Sequence, residues 1–218
     1  MSDDMLIKHC APTLMGLKTG NMFSFKFETD IEEHRSLTEI NRRLGAKGLR
    51  AIPLRRYKGS TLIYLFRPSR LKADLNDRQA MKILGEMGYH QDSVGFCIAG
   101  LMKKLRENAD FPHEIGLFLG YPPEDVCGFI KNKGGGCKCV GCWKVYGDAD
   151  KARQTFDKYK RCTELCCSLA EKGYSVERMA VSDGPADKAE TYDRIRSGKK
   201  PFRLIRRSVR PLGNIIHF

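Results

Sequence analysis

LRAIPLRRYKGSTLIYLF, residues 49–66, decides the fold class. Residues 49–57 and 61–66 are rich in β-branched, aromatic and aliphatic side chains, and Lys58-Gly59 between them is a turn, so the stretch reads as a β-hairpin. Pro53 lacks a backbone N–H and pushes the first strand toward a sheet edge. Leu62-Ile63-Tyr64-Leu65-Phe66 has no polar alternation and reads as a strand covered on both faces. Outward from the hairpin the pattern turns helical. Asp30 is the expected cap of a helix over 30–44, with Leu37, Ile40 and Leu44 on one stripe and Gly45 and Gly48 ending it. Asn76 or Asp77 caps a helix closing at Gly88, and Ser93 caps another to about Asn108, with Val94, Ile98, Leu101 and Leu105 inward. Pro112 and Pro123 suit first turns, which predicts short helices over 113–119, with a strand as the alternative there, and over 124–132. After Gly134-Gly135-Gly136 come a strand over 143–146, a long helix over 149–172 ended by Gly173, and a last strand over 176–181. The expectation is α/β, with α+β as the alternative: one mixed helix–strand core with a sheet of about four strands flanked by helices.

Core residues run through 1–181, and Ser182-Asp183-Gly184-Pro185 marks a boundary. Beyond it the tail, 182–218, is poor in core residues and is expected to be poorly ordered. The chain carries 39 Lys and Arg against 26 Asp and Glu, but eight of the basic residues and no acidic one fall in 194–218. Without those eight, 31 basic residues face 26 acidic ones, so nucleic-acid binding is expected only through 194–218. No stretch reaches the length of apolar sequence that spans a bilayer, and Met-Ser-Asp-Asp has the wrong charge for a signal peptide. The expected location is the cytoplasm, without a membrane partner. There the nine cysteines, an odd number, are expected as free thiols or ligands rather than disulfides.

Three sets of residues could carry chemistry. Cys10 lies just ahead of an expected helix start at Pro12, where the helix dipole would favour a thiolate. With His113 as base and Glu114 orienting it, Cys10 would make a nucleophilic site; a buried structural cysteine is the plainer alternative. Cys137, Cys139 and Cys142 follow the triglycine at C-x-C-x2-C spacing, with Cys162 and Cys166 one turn apart on the next helix. Such thiolates suit zinc or iron, including an iron–sulfur cluster, although the second knuckle of a zinc ribbon is missing. The third set is basic and aromatic: Lys18, Arg67, Arg70, Trp143, Lys144 and Tyr146, fit for an anionic ligand or simply solvated.

Four segments, HCAPTLMGLKTG (9–20), YLFRPSRLKADL (64–75), FPHEIGLFLGYPPEDVCGFI (111–130) and CKCVGCWKVYGD (137–148), together resemble an uncharacterised bacterial family, largely of clostridia and gut anaerobes, known as domain of unknown function 3793. The resemblance runs from about His9 to Val181 and implies shared positions at Cys10, Lys18, Arg67, Arg70, His113, Glu114, Tyr121, Lys144, Tyr146 and Cys162. It departs at Cys142, where the family pattern has an aromatic residue, and in the tail after Ser182. It implies iron-limited or redox physiology with a flavodoxin-like partner.

The expected function is therefore a thiol- or metal-dependent accessory protein of iron or redox metabolism, with Cys137, Cys139 and Cys162 as metal ligands. The alternatives are a cysteine-nucleophile hydrolase or transferase using Cys10 and His113, and a nucleic-acid or acidic-partner binder acting through the tail.

Overall fold

In the computed structural model, residues 1–108 and 110–183 are described. The tail over 184–218, and with it the expected nucleic-acid segment 194–218, lies outside the described residues.

The hairpin is present. Strand β2 (Arg50–Tyr57) pairs antiparallel with β3 (Ser60–Phe66), closed by the Tyr57↔Ser60 pair. Both turn residues are left-handed, Lys58 at φ 49° and Gly59 at φ 74°, the geometry that matches the twist of the flanking strands. A bulge between Pro53 and Arg55 leaves Leu54 inward, 2% exposed. The third strand, β1 (Gly20–Phe25), adds on the other side of β3, so the order is β1-β3-β2 with all neighbours antiparallel and Pro53 on an edge.

Period-two alternation along β3 sends Ile63 and Leu65 to one face and Leu62, Tyr64 and Phe66 to the other, each face with its own core. Over the first face lie α1 (Asp3–Leu14), α2 (Asp30–Leu44), α8 (Ala149–Glu171) and α9 (Val176–Met179). Over the second lie α3 (Pro68–Leu75), α4 (Arg78–Glu86), α5 (Val94–Glu107), α6 (Ile115–Phe118) and α7 (Pro123–Asn132). The mixed helix–strand class is what the structure shows. A separate two-stranded ribbon, β4 (Cys139–Val140) with β5 (Lys144–Val145), packs with the start of α8 around Trp143. Among the described residues no helix is long and apolar enough to cross a membrane.

Three expectations are corrected. The expected helix start at Pro12 is instead the last turn of α1, which Ser2 caps by accepting from the Met5 N–H and which Asp3 and Asp4 suit electrostatically. Residues 176–181 are not a strand: Val176, Met179 and Ala180 recur at i, i+3 and i+4, and the segment buries them as one helical turn. The cap of α2 is Thr29, whose hydroxyl accepts from the Glu32 N–H, rather than Asp30.

Arg67, fully buried at the end of β3, ties these pieces together. Its Nε–H donates to Thr13 O (2.8 Å), Nη1 to Lys47 O (3.1 Å) and to Asp183 (2.6 Å), and Nη2 to Leu14 O (2.8 Å) and Val181 O (2.6 Å). All five guanidinium N–H groups are used, joining α1, the turn after α2 and the segment after α9. Asp183, within the expected boundary Ser182-Asp183-Gly184-Pro185, is thus tied back to the core by this ion pair.

Candidate functional site

The expected residues separate into a buried group and a group around one cleft. Cys10 sits in the third turn of α1, fully buried in the first core, and burial pushes its thiol well above the ordinary range. Nothing there resembles a thiolate at a helix N-terminus. His113 is exposed on the far side of the sheet, its ring edge-on to Phe129 at 5.1 Å. Glu114 does not orient it; the buried Glu114 carboxylate accepts from Tyr89 Oη (3.1 Å) and Lys104 Nζ (2.8 Å). The Cys10–His113–Glu114 constellation is therefore not assembled.

The metal ligands are not gathered either. Cys162 is buried against α1 beside Cys166, one turn along α8, and that contact with burial raises its thiol. Cys137 lies near Tyr146, and Cys139 pairs across the ribbon with Val145. Among the described residues no group of three His, Cys, Asp or Glu is arranged to hold a metal ion. Cys137, Cys139 and Cys162 do not fit a zinc or iron–sulfur centre here.

Of the basic and aromatic set, Arg67 has no N–H left for a ligand, and Arg70 lies on the first turn of α3 near Asp74, whose carboxyl burial raises, a rise that the Thr19 hydrogen bond and then the Arg70 charge oppose without cancelling. Tyr146 Oη donates to Gly135 O (3.0 Å) and Lys144 Nζ to Gly134 O (2.7 Å), so both fasten the triglycine turn.

Lys18 and Tyr121 belong to a column. Lys18, 6% exposed, holds its ammonium 5.2 Å from the centroid of the Tyr121 ring; Tyr121 stacks on Trp143 at 4.8 Å, and Trp143 meets Phe156 of α8 edge-on at 4.6 Å. Burial pushes Lys18 down to about 8, against the opposing pull of Cys142 and Cys10, and pushes Tyr121 up to about 12, with Cys142 adding to the rise. Asp125 of α7 fixes the column to the ribbon: its carboxylate accepts from Trp143 Nε1 and from the Tyr146 and Gly147 N–H groups, each at 2.7 Å. Tyr121 Oη donates to Cys142 O (3.1 Å). Gly141 has no side chain because a Cβ there would sit 2.2 Å from the Phe156 ring.

The Tyr121–Trp143 pair forms a wall with a cleft on each side. One, about 500 Å3, is lined by carboxylates, among them Asp74, Asp77, Glu124 and Asp148. The other, about 330 Å3, is mostly apolar, with Phe111, Ile115, Val126, Phe129 and Val140 around Tyr121 and Trp143; His113, Lys144 and Asp125, whose carboxylate is taken up by three N–H groups, complete its polar lining. Three expected residues, His113, Tyr121 and Lys144, thus meet at the apolar cleft.

The sequence profile of the family described as Protein of unknown function (DUF3793) matches residues 6–180. The chain belongs to that family. In this DUF3793 member the matched span covers every element from the body of α1 to α9, including the whole column and both clefts. No curated protein matches the chain, and no solved structure does.

Motif reading missed Phe111, Phe129, Val140 and Asp125. The first three look like ordinary core residues in sequence, and Asp125 looks like an ordinary first-turn acid of α7; only the packing of the ribbon on α7 gives them a common site.

Proposed function

We propose that this DUF3793 protein is a ligand-binding accessory protein whose site is the apolar cleft between the α6–α7 corner and the β4–β5 ribbon. The ligand it suits is a compact organic anion with a flat apolar body. What carries the reading is the convergence of an imidazole, His113, and an ammonium, Lys144, on the margin of a 330 Å3 cleft walled by Tyr121 and Trp143. A preformed apolar cavity with few polar groups is the usual form of a small-molecule site, and an imidazole N–H beside an ammonium would orient an acidic head group. Lys144 is anchored to Gly134 O, so its charge is held in place rather than free to swing. The iron- or redox-linked role rests on the family resemblance alone, and the thiols, scattered between the first core and the ribbon, add no support to it.

The test uses the single tryptophan, Trp143, as reporter. Anilinonaphthalene sulfonate, a flat apolar anion, is expected to bind saturably at one site with energy transfer from Trp143, and His113→Ala is expected to weaken it about five- to tenfold, the loss of one charge-assisted contact. Binding without saturation, or equal binding by the variant, would sink the reading.

A further inference from the structure

The apolar cleft is one end of a longer strip on the surface. From the β2–β3 turn, Lys58 Nζ lies 5.2 Å from the centroid of Tyr57, and Arg55 Cζ lies 5.1 Å from Tyr57 and 5.1 Å from Phe111. Phe111 lines the cleft, where His113 and Lys144 both border Phe129. Cation and ring therefore alternate along Lys58, Tyr57, Arg55 and Phe111, and Phe129 lies between the His113 imidazole and the Lys144 ammonium. Tyr57 is 54% exposed and Phe111 47% exposed, unusual for rings that could have been packed inward.

Arg55 is only partly satisfied. Its Nη1 donates to Leu105 O (2.9 Å) and Asn108 O (3.2 Å), which fixes the guanidinium between the two rings, while its Nε is buried without a hydrogen-bond partner. The buried Nε is closed to a ligand, but Nη2 donates to none of the described residues, and a guanidinium held between exposed rings suits an anionic oxygen there. Charge on the neighbouring strand position is kept off this surface: Arg56 turns toward α2, where Asp30 (2.6 Å) and Glu33 (3.0 Å) neutralise it.

We propose that this strip binds single-stranded nucleic acid. The proposal rests on the cleft being a ligand site and names its occupant: one base enters the apolar cleft, and neighbouring bases stack on Phe111 and Tyr57. The phosphates between them meet Lys144, His113, Arg55 and Lys58. Alternating planar and anionic groups are the chemistry of a polynucleotide strand, and rings interleaved with cations are how proteins hold one without reading its sequence. A duplex hides its base faces and gains only from the charges. An acidic peptide would use the cations and leave the exposed ring faces unexplained.

The experiment is fluorescence anisotropy on the full chain, basic tail included, with a labelled oligothymidylate of about twenty-four nucleotides and a GC-rich hairpin duplex of about twelve base pairs carrying about the same number of phosphates. Per phosphate, charge alone favours the duplex, so a single-strand preference cannot come from the basic tail and reports the strip. The expected result is single-strand affinity at least about tenfold above that for duplex, lost in Tyr57→Ala/Phe111→Ala, while duplex affinity stays within about twofold. Tyr57→Ala alone, outside the cleft, should lose part of the preference while keeping the wild-type thermal midpoint. Equal affinity for the two substrates, or a preference that survives in the double variant, would overturn the proposal. So would polyglutamate competing as well as the oligonucleotide at equal charge, which would point to an acidic protein partner. If anilinonaphthalene sulfonate still enters the cleft but no single-strand preference exists, this proposal alone fails; if neither binds, the cleft reading falls with it.

Discussion

Two buried cations behave in opposite ways. Arg67 has an acceptor for every N–H and is a structural joint; Lys18 has a ring face, two thiols nearby and, among the described residues, no hydrogen bond from its ammonium to another side chain. Arg67→Lys keeps the charge but not the five-donor fork, and urea unfolding should show a loss of about 3–5 kcal/mol, as for breaking a buried pair. For Lys18 the sign is reversed. Burial holds its folded-state pKa at about 8, below the ordinary 10.5, so between those two values the unfolded chain binds more protons than the folded one. Stability should therefore rise with pH from about 8 to 10.5, and below pH 8 the full penalty of the buried charge, of order 3 kcal/mol, is present. Lys18→Met should be more stable than wild type at pH 7 and lack that rise; thermal midpoints of both proteins across pH 7–10.5 check it. Part of this was legible: Lys18 and Arg67 stand out in sequence as charges inside apolar motifs. That one is saturated by four carbonyls and a carboxylate from three distant segments, and the other left against a ring, is something no local pattern reports.

At the scale of elements, the hairpin and most helices followed from periodicity and caps: the expected caps Asp77 and Ser93 accept from the first-turn amides of α4 and α5, and Asp148, not singled out in the sequence, does so for α8. α1 escaped because Pro12 looked like a start; it falls in the last turn, where it removes one i→i−4 bond just before the helix ends. α9 escaped because four helical residues leave little periodicity. It is held by Arg43 of α2, which pairs with Glu177 and with Asp3 of α1 (2.8 Å). The Arg43 hydrogen bond pushes Glu177 down to about 2, below the usual carboxylate range, so this support is present above pH 5 and lost as pH falls toward 2. Comparing thermal midpoints of wild type and Glu177→Gln, the gap should close over that interval. The ribbon depends on Asp125 in the same way. Asp125→Ala removes the acceptor of three N–H groups, and hydrogen exchange at Tyr146 and Gly147 should accelerate at least about tenfold while β3 amides keep their protection.

For the whole molecule, an antiparallel sheet with a core on each face supports a small third cluster, and the candidate site lies at the junction of the second core with that cluster. The fold class was readable because β3 is apolar throughout and the helices are amphipathic. The site was readable only as scattered residues: His113, Tyr121 and Lys144 were marked, but so were Cys10, Arg67 and Cys162, which the fold buries. Chemical type alone does not separate a reactive residue from a packed one; position does. The central claim is that a ligand enters beside Trp143. Labelling that single tryptophan as 5-fluorotryptophan gives one 19F resonance, and titration with anilinonaphthalene sulfonate should shift it saturably, with a weaker midpoint in His113→Ala. A resonance unmoved at saturating probe would contradict the account.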